Sequence, residues 1–251
     1  MLAHYARLEA TVEAGIPRLF SLNPRAGFVV RAIEPVRAPS SPSGGYLPPN
    51  EDGSRPGTFY VNTYALPTRR TWDAEPLFLH EAVPGHHFQL ALQQELTDVP
   101  AFRRFGQQTA FVEGLALYAE GLGKELGLYR DPYDQAGRLQ GELWRAIRLV
   151  VDTGLHSQGW SRQQVLDYMF ANAATGEPDA VAEAERYIAW PGQAQAYKTG
   201  ELKILQLRAR ARQALGERFD IRRFHAEVLK DGAVPLDVLD ARIERWIATQ
   251  R

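Results

Sequence analysis

The sequence predicts a mainly α-helical domain carrying a small β-sheet in its N-terminal third, an α+β fold. Three observations predict it. Two runs rich in β-branched and aromatic residues, FVVRAIEP and GTFYVNTY, flank a Pro/Gly/Ser-rich stretch. From Trp72 onward the apolar spacing is helical almost to the end. Helix start and stop residues then recur through that second region.

Taken in order, FVVRAIEP is the first strand and GTFYVNTY the second. Between them residues 36–57, with PSSPSGGYLPPNEDGSRPG at their centre, are expected to be a functional lid or a disordered loop. A helix is expected from about Gln107 to Gly127, and another ends in LVVDTGLH. Ser161 followed by Gln164 is a capping box, and Pro178 sits where a first helical turn tolerates it. Asp220 caps IRRFHAEVLK, Gly232 stops it, and Pro235 opens the last helix. The charge-rich LKILQLRARARQAL is a solvated face over a leucine stripe.

With 251 residues, 45% hydrophobic and 24% charged, the chain can bury a sizeable core, and residues 1–251 are expected to form one domain. A net charge of −1 gives no electrostatic reason for nucleic acid or an anionic membrane as partner. No apolar run reaches the roughly 20 residues of a membrane-spanning helix. The N-terminal MLAHYARLEATVEAG lacks a basic start followed by an apolar stretch, so a soluble chain without signal peptide is expected, which favours the cytoplasm. Cysteine is absent, which excludes disulfides, thiolate ligands and thiol nucleophiles. Any metal is then held by His, Asp or Glu, as in catalytic rather than closed structural sites.

Three of the six histidines fall in His80-Glu-Ala-Val-Pro-Gly-His86-His87. A His-Glu pair divides the labour of a metal hydrolase: His80 offers an imidazole nitrogen to the ion, and Glu81 takes the proton of its water. A second ligand one turn on is ruled out by Pro84. On an unbroken helix His87 shares the face of His80 but lies about 10.5 Å further along, and His86 points elsewhere. Pro84 breaks the helix and Gly85 permits unusual backbone, so a looped-out pair of residues can bring His86 back. The metal reading therefore demands a distorted helix. Glu113 in FVEGLALYAE is the preferred third ligand, because Gly114 lets a neighbouring helix approach; Glu120 shares its face and is the alternative. Two His, one Glu and an open position make a catalytic zinc set, one ion per chain. Downstream, Arg145, Arg148, Asp152 and His156 recur on one helix face. His156 or Tyr197 suits a developing oxyanion, and Arg148 a substrate carboxylate.

HEAVPGHHFQ, EGLALYAE, RLVVDTGLH and PGQAQAYKTG together resemble the bacterial family labelled domain of unknown function 885. The resemblance runs over nearly the whole chain. It implies a zincin-like helical zinc metallopeptidase whose third ligand is a Glu on a following helix. It also implies that the chain is the C-terminal half of a longer protein, the other half forming part of the substrate cleft. The residue after PGH varies in the family, which implies His86 as ligand and His87 as a packing residue. A strand like GTFYVN is implied beside the site, where an extended peptide could pair. The expected activity is a zinc-dependent peptidase, of carboxypeptidase or oligopeptidase type, acting on a peptide or small amide. An ester hydrolase with the same water activation and a non-catalytic helical binding domain are the alternatives.

Overall fold

The computed structural model describes residues 1–174 and 176–250 and is mainly helical with one three-stranded sheet, as expected. Helix α1 (Leu2–Leu19) leads into strands β1 (Phe28–Ala32), β2 (Gly44–Leu47) and β3 (Gly57–Val61). Among the described residues ten α-helices follow: α2 (Ala74–Glu81), α3 (His86–Gln94), α4 (Ala101–Phe105), α5 (Thr109–Glu120), α6 (Pro132–Ser157), α7 (Arg162–Asn172), α8 (Glu177–Ala189), α9 (Ala196–Leu215), α10 (Ile221–Leu229) and α11 (Leu236–Gln250).

The start signals act as their chemistry dictates. The Asp131 carboxylate accepts from the Tyr133 N–H with Pro132 at the first helical position, and Ser161 and Gln164 close a full capping box. Asp220 accepts from Arg222 N–H, and Gly232, at φ +68°, follows the end of α10.

Three elements differ from expectation. Helix α1 is not among the predicted elements, although Tyr5, Leu8, Val12, Ile16 and Leu19 are buried at helical spacing. The stretch 36–57 is not irregular throughout. It supplies a turn of 3₁₀ helix and strand β2, pinned because the buried Asn62 amide donates to the carbonyls of Ala38 (2.8 Å) and Ser41 (2.9 Å). Helix α5 stops at Glu120 rather than near Gly127. There the chain turns tightly and the N–H of Leu128 donates to Gly123 O, with Gly127 at φ +89°.

Strand β3 is central: β1 pairs with it in parallel (Val30↔Phe59) and β2 antiparallel (Tyr46↔Phe59). Both its edges are therefore taken, so β3 cannot accept an added peptide strand; the edge left beside the site belongs to β2. Helix α1 covers the sheet through Tyr5, whose ring meets Phe59 edge-on at 5.1 Å. A large apolar core joins α1, the sheet, α2, α3, α5 and the last three helices. A smaller one, built on Ile147, Val151, Val165, Met169, Ala184 and Tyr187, holds α6, α7 and α8 together.

Candidate metal centre

Helix α2 ends one residue after His80, and α3 begins at His86. Between them Ala82 leaves helical conformation (φ −105°, ψ −103°) and the Val83–Pro84 peptide is cis. A Cβ on Gly85 would lie 1.9 Å from the carbonyl oxygen of His80 and 2.3 Å from that of Leu79. Gly85 is thus required by close approach of backbone, and its φ is negative. The tight loop returns His86 beside His80, ring centroids 4.8 Å apart and nearly perpendicular. The distortion demanded by the sequence is present.

The third group comes from α5. A Cβ on Gly114 would meet Gly200 Cα at 2.3 Å, and one on Gly200 would meet Ala110 O at 1.8 Å. Helices α5 and α9 therefore cross backbone to backbone, which sets Glu113 and Tyr197 side by side. Glu113 Oε2 lies 3.5 Å from His80 Nε2 and 3.4 Å from His86 Nε2, and the three ligand atoms fall within 4.8 Å of one another. Bonds of 2.0–2.1 Å in tetrahedral geometry separate ligand atoms by roughly 3.3 Å, so this spacing suits a zinc-sized ion. Glu113 Oε2 is buried without a hydrogen-bond partner, which an oxygen aimed at a cation explains.

Glu120 has a different task from Glu113. Its Oε1 accepts from His80 Nδ1 at 2.8 Å and from Arg145 Nη2 at 3.1 Å. In a neutral ring this contact keeps the proton on Nδ1 and leaves Nε2 as the free ligand atom, the arrangement that orients metal-binding histidines. Without a cation, burial works against charge on His80, but Glu113 and Glu120 outweigh it and raise the imidazole to about 9. Burial likewise works to raise Glu113, and the two imidazoles override it and hold the carboxyl below the usual range.

A cavity of about 270 Å³ opens on this cluster, lined by His80, Glu81, His86, Glu113 and Tyr197, with Gly45 and Tyr46 of β2 beside them. A larger one of about 910 Å³, near Arg7, Arg69 and Arg70, touches no cluster residue, so size does not locate the chemistry. Glu81 is buried, yet among the described residues its carboxylate has no hydrogen-bond partner and remains available to the cavity. Tyr197 stacks at 6.1 Å on His80; burial and then the Glu113 charge push its phenol up. Gln193, which sequence reasoning did not single out, donates from Nε2 to both Glu113 Oε1 (3.4 Å) and the Tyr197 hydroxyl (3.1 Å).

His87 faces away, toward the sheet. Its Nδ1 is 2.8 Å from the Tyr46 hydroxyl, its ring packs on Phe28, and burial lowers it to about 4. Two expected site residues are not brought to the cavity. Arg148 is tied to Tyr187 through Nε (2.9 Å) and to Glu183 through Nη2 (2.9 Å), its guanidinium lies over the Tyr197 ring, and it does not line the cavity. His156 is two turns further along α6, about 12 Å on, and its Nε2 donates to Tyr187 O at 2.9 Å. Asp152 accepts from Gly192 N–H and from Gln195, so this face of α6 grips α8 and the chain before α9.

The fold and the cluster define a mainly helical α+β protein with a buried two-histidine, one-glutamate constellation. The chain belongs to a family described as bacterial protein of unknown function (DUF885), whose pattern matches residues 1–243. It superposes with a TM-score of 0.96 at 42% identity on a solved structure described as a putative lipoprotein from Colwellia psychrerythraea. That match covers 99% of this chain and 43% of the other. A second, a putative lipoprotein of unknown function from Shewanella oneidensis, shares the fold at TM-score 0.75 and 22% identity, over 96% and 45% of the two chains. The chain thus spans less than half the length of both. Among curated proteins none matches. No described helix is long and apolar enough to cross a membrane, and neither relative's description supports the expected cytoplasmic placement.

Proposed function

We propose that this chain carries the metal centre of a zinc-dependent hydrolase, a metallopeptidase cleaving peptides or small amides. The observation that carries the reading is the convergence of His80 Nε2, His86 Nε2 and Glu113 Oε2, with Glu113 Oε2 otherwise unpartnered. Those three residues would hold the ion, and imidazole and carboxylate donors favour zinc among the divalent metals. When bound, zinc supplies Lewis acidity to a carbonyl and to water.

The chain's own groups do the rest. Glu81 follows ligand His80 directly and faces the same cavity, where its carboxylate accepts the proton of the attacking water and passes it to the leaving nitrogen. The Tyr197 hydroxyl donates to the carbonyl oxygen as negative charge develops there. Glu120 holds His80 in the correct tautomer, and Arg145 holds Glu120. In the longer relatives the remaining chain would complete the substrate cleft around the part that this chain matches.

Elemental mass spectrometry of wild type and His80→Ala, purified without added metal, tests the centre: about one zinc per wild-type chain and little in the variant. Glu81→Gln should then keep its zinc and lose turnover against a peptide library. Zinc-dependent cleavage of esters with peptides uncut would move the substrate class. A wild-type chain that stays metal-free after dialysis against micromolar zinc would overturn the reading and leave a helical binding domain.

A further inference from the structure

Resting on the hydrolase reading above, we propose that Gln193 is a positioning residue: it fixes the Tyr197 hydroxyl as a hydrogen-bond donor pointing into the cavity and steadies the Glu113 carboxylate. The inference follows from what each neighbour of the amide can donate or accept. Gln193 is buried in the turn before α9, with Nε2 toward Glu113 and Tyr197 and Oε1 2.6 Å from Arg186 Nη1. A guanidinium only donates and a carboxylate only accepts. The amide therefore has one permitted orientation, oxygen to Arg186 and nitrogen to Glu113. Arg186 is in turn fixed by the Glu183 carboxylate, Nε to Oε1 at 3.0 Å and Nη2 to Oε2 at 2.9 Å.

The consequence reaches the phenol. With both amide hydrogens committed, one to Glu113 and one to the Tyr197 oxygen, the Tyr197 proton cannot point back at Gln193. No other described residue hydrogen-bonds to that hydroxyl. Its ring cannot swing away, since Arg148 lies 4.6 Å above it and His80 stacks alongside. The O–H is left to turn toward the cavity that Tyr197 lines with the metal cluster. Glu183, Arg186 and Gln193 thus form a relay of fixed hydrogen-bond polarity. A carboxylate at 193 would invert its last link, accepting from the hydroxyl and withdrawing it from substrate.

Acetohydroxamate, a metal-binding carbonyl probe, reads the hydroxyl without turnover. Its affinity for the zinc-loaded chain is measured by calorimetry for wild type, Tyr197→Phe, Gln193→Glu and the double variant, after zinc stoichiometry is established for each. Tyr197→Phe and Gln193→Glu should each weaken the probe about tenfold, the scale of one buried neutral hydrogen bond. In the Tyr197→Phe background Gln193→Glu should change nothing further. A merely structural Gln193 predicts wild-type affinity for Gln193→Glu, because the new carboxylate still accepts from Arg186; that result overturns the proposal. Equal weakening in both backgrounds overturns it too, since charge repulsion alone would then explain the loss. If Gln193→Glu does not fold, Gln193→Met replaces it: about threefold weakening confined to the Tyr197 background supports the relay, and no change in a folded variant sinks it. A wild type that binds no zinc removes the hydrolase reading and this inference together, whereas zinc binding with an unmoved probe removes only the inference.

Discussion

Replacing Gly85 by alanine probes the step that turns a broken helix into a ligand site. The added Cβ would sit 1.9 Å from the His80 carbonyl oxygen, whereas real Cβ atoms essentially never come within 3.0 Å of a neighbour. About 1.1 Å must therefore be found, and both obstructing atoms are backbone carbonyls of the turn that carries His80. No side chain can yield, so the shift falls on the chain between His80 and His86. Metal–ligand distances tolerate about 0.2 Å. The expected result is zinc affinity lowered at least about 100-fold, read by competition with a chromophoric chelator. Overpacking of this size costs about 1–3 kcal/mol of stability, roughly 3–10 °C in the melting temperature of the metal-free chain by calorimetry. Gly27→Ala is the control, because a Cβ there meets nothing within 4 Å and should leave both readings unchanged. A folded Gly85→Ala chain with wild-type zinc affinity would refute the reasoning, since the site would then not depend on the path of this loop.

Three further outcomes follow from the same geometry. Glu120→Gln removes the charge that holds the proton on His80 Nδ1 and should lower zinc affinity about 10- to 100-fold, by the same competition assay. Gly200→Ala places a Cβ 1.8 Å from Ala110 O and should force α5 from α9, lowering the melting temperature and loosening Glu113 and Tyr197 together; proteolysis and calorimetry read the effect. The third concerns His225, far from the centre in sequence and buried. Its Nδ1 donates to Leu19 O, and its Nε2 accepts from Tyr118, which accepts from Arg208. Burial lowers it to about 4 from 6.5. Its folded pKa lies below the unfolded one, so its stabilisation is complete above pH 6.5 and is lost as pH falls toward 4, by up to about 3 kcal/mol. Denaturant unfolding of wild type and His225→Gln across that range should show the acid slope shrinking in the variant; equal slopes would assign the loss elsewhere.

Much of the architecture is written in local chemistry. The caps at Asp131, Ser161 and Asp220 act through atoms a few residues away, and α6, α7 and α10 begin where those atoms require. The same holds for the demand that Pro84 and Gly85 break the helix, because the conflict between proline and a helical turn is local. The return of His86 to the side of His80 was thus legible, and so was the close helix approach beside Glu113, through its glycine neighbour. The period that forms α1 also stands in the sequence, in Tyr5, Leu8, Val12, Ile16 and Leu19.

What only the tertiary structure decided depends on partners distant in sequence. Glu113 and Glu120 share a helix face, and the sequence could only treat them as rivals; the fold gives each a different edge of the system, Glu113 facing Nε2 of His80 and Glu120 its Nδ1. Arg148 and His156 looked available because their acceptors, Glu183 and the Tyr187 carbonyl, lie more than thirty residues away. Strand β2 needed Asn62 to satisfy the carbonyls before it, and Gln193 acquires a role only once Arg186, Glu113 and Tyr197 surround its amide. A side chain's capacity to donate or accept is set by its residue type and can be read in advance. Which capacity is already spent is set by neighbours that only the folded chain brings within about 3 Å.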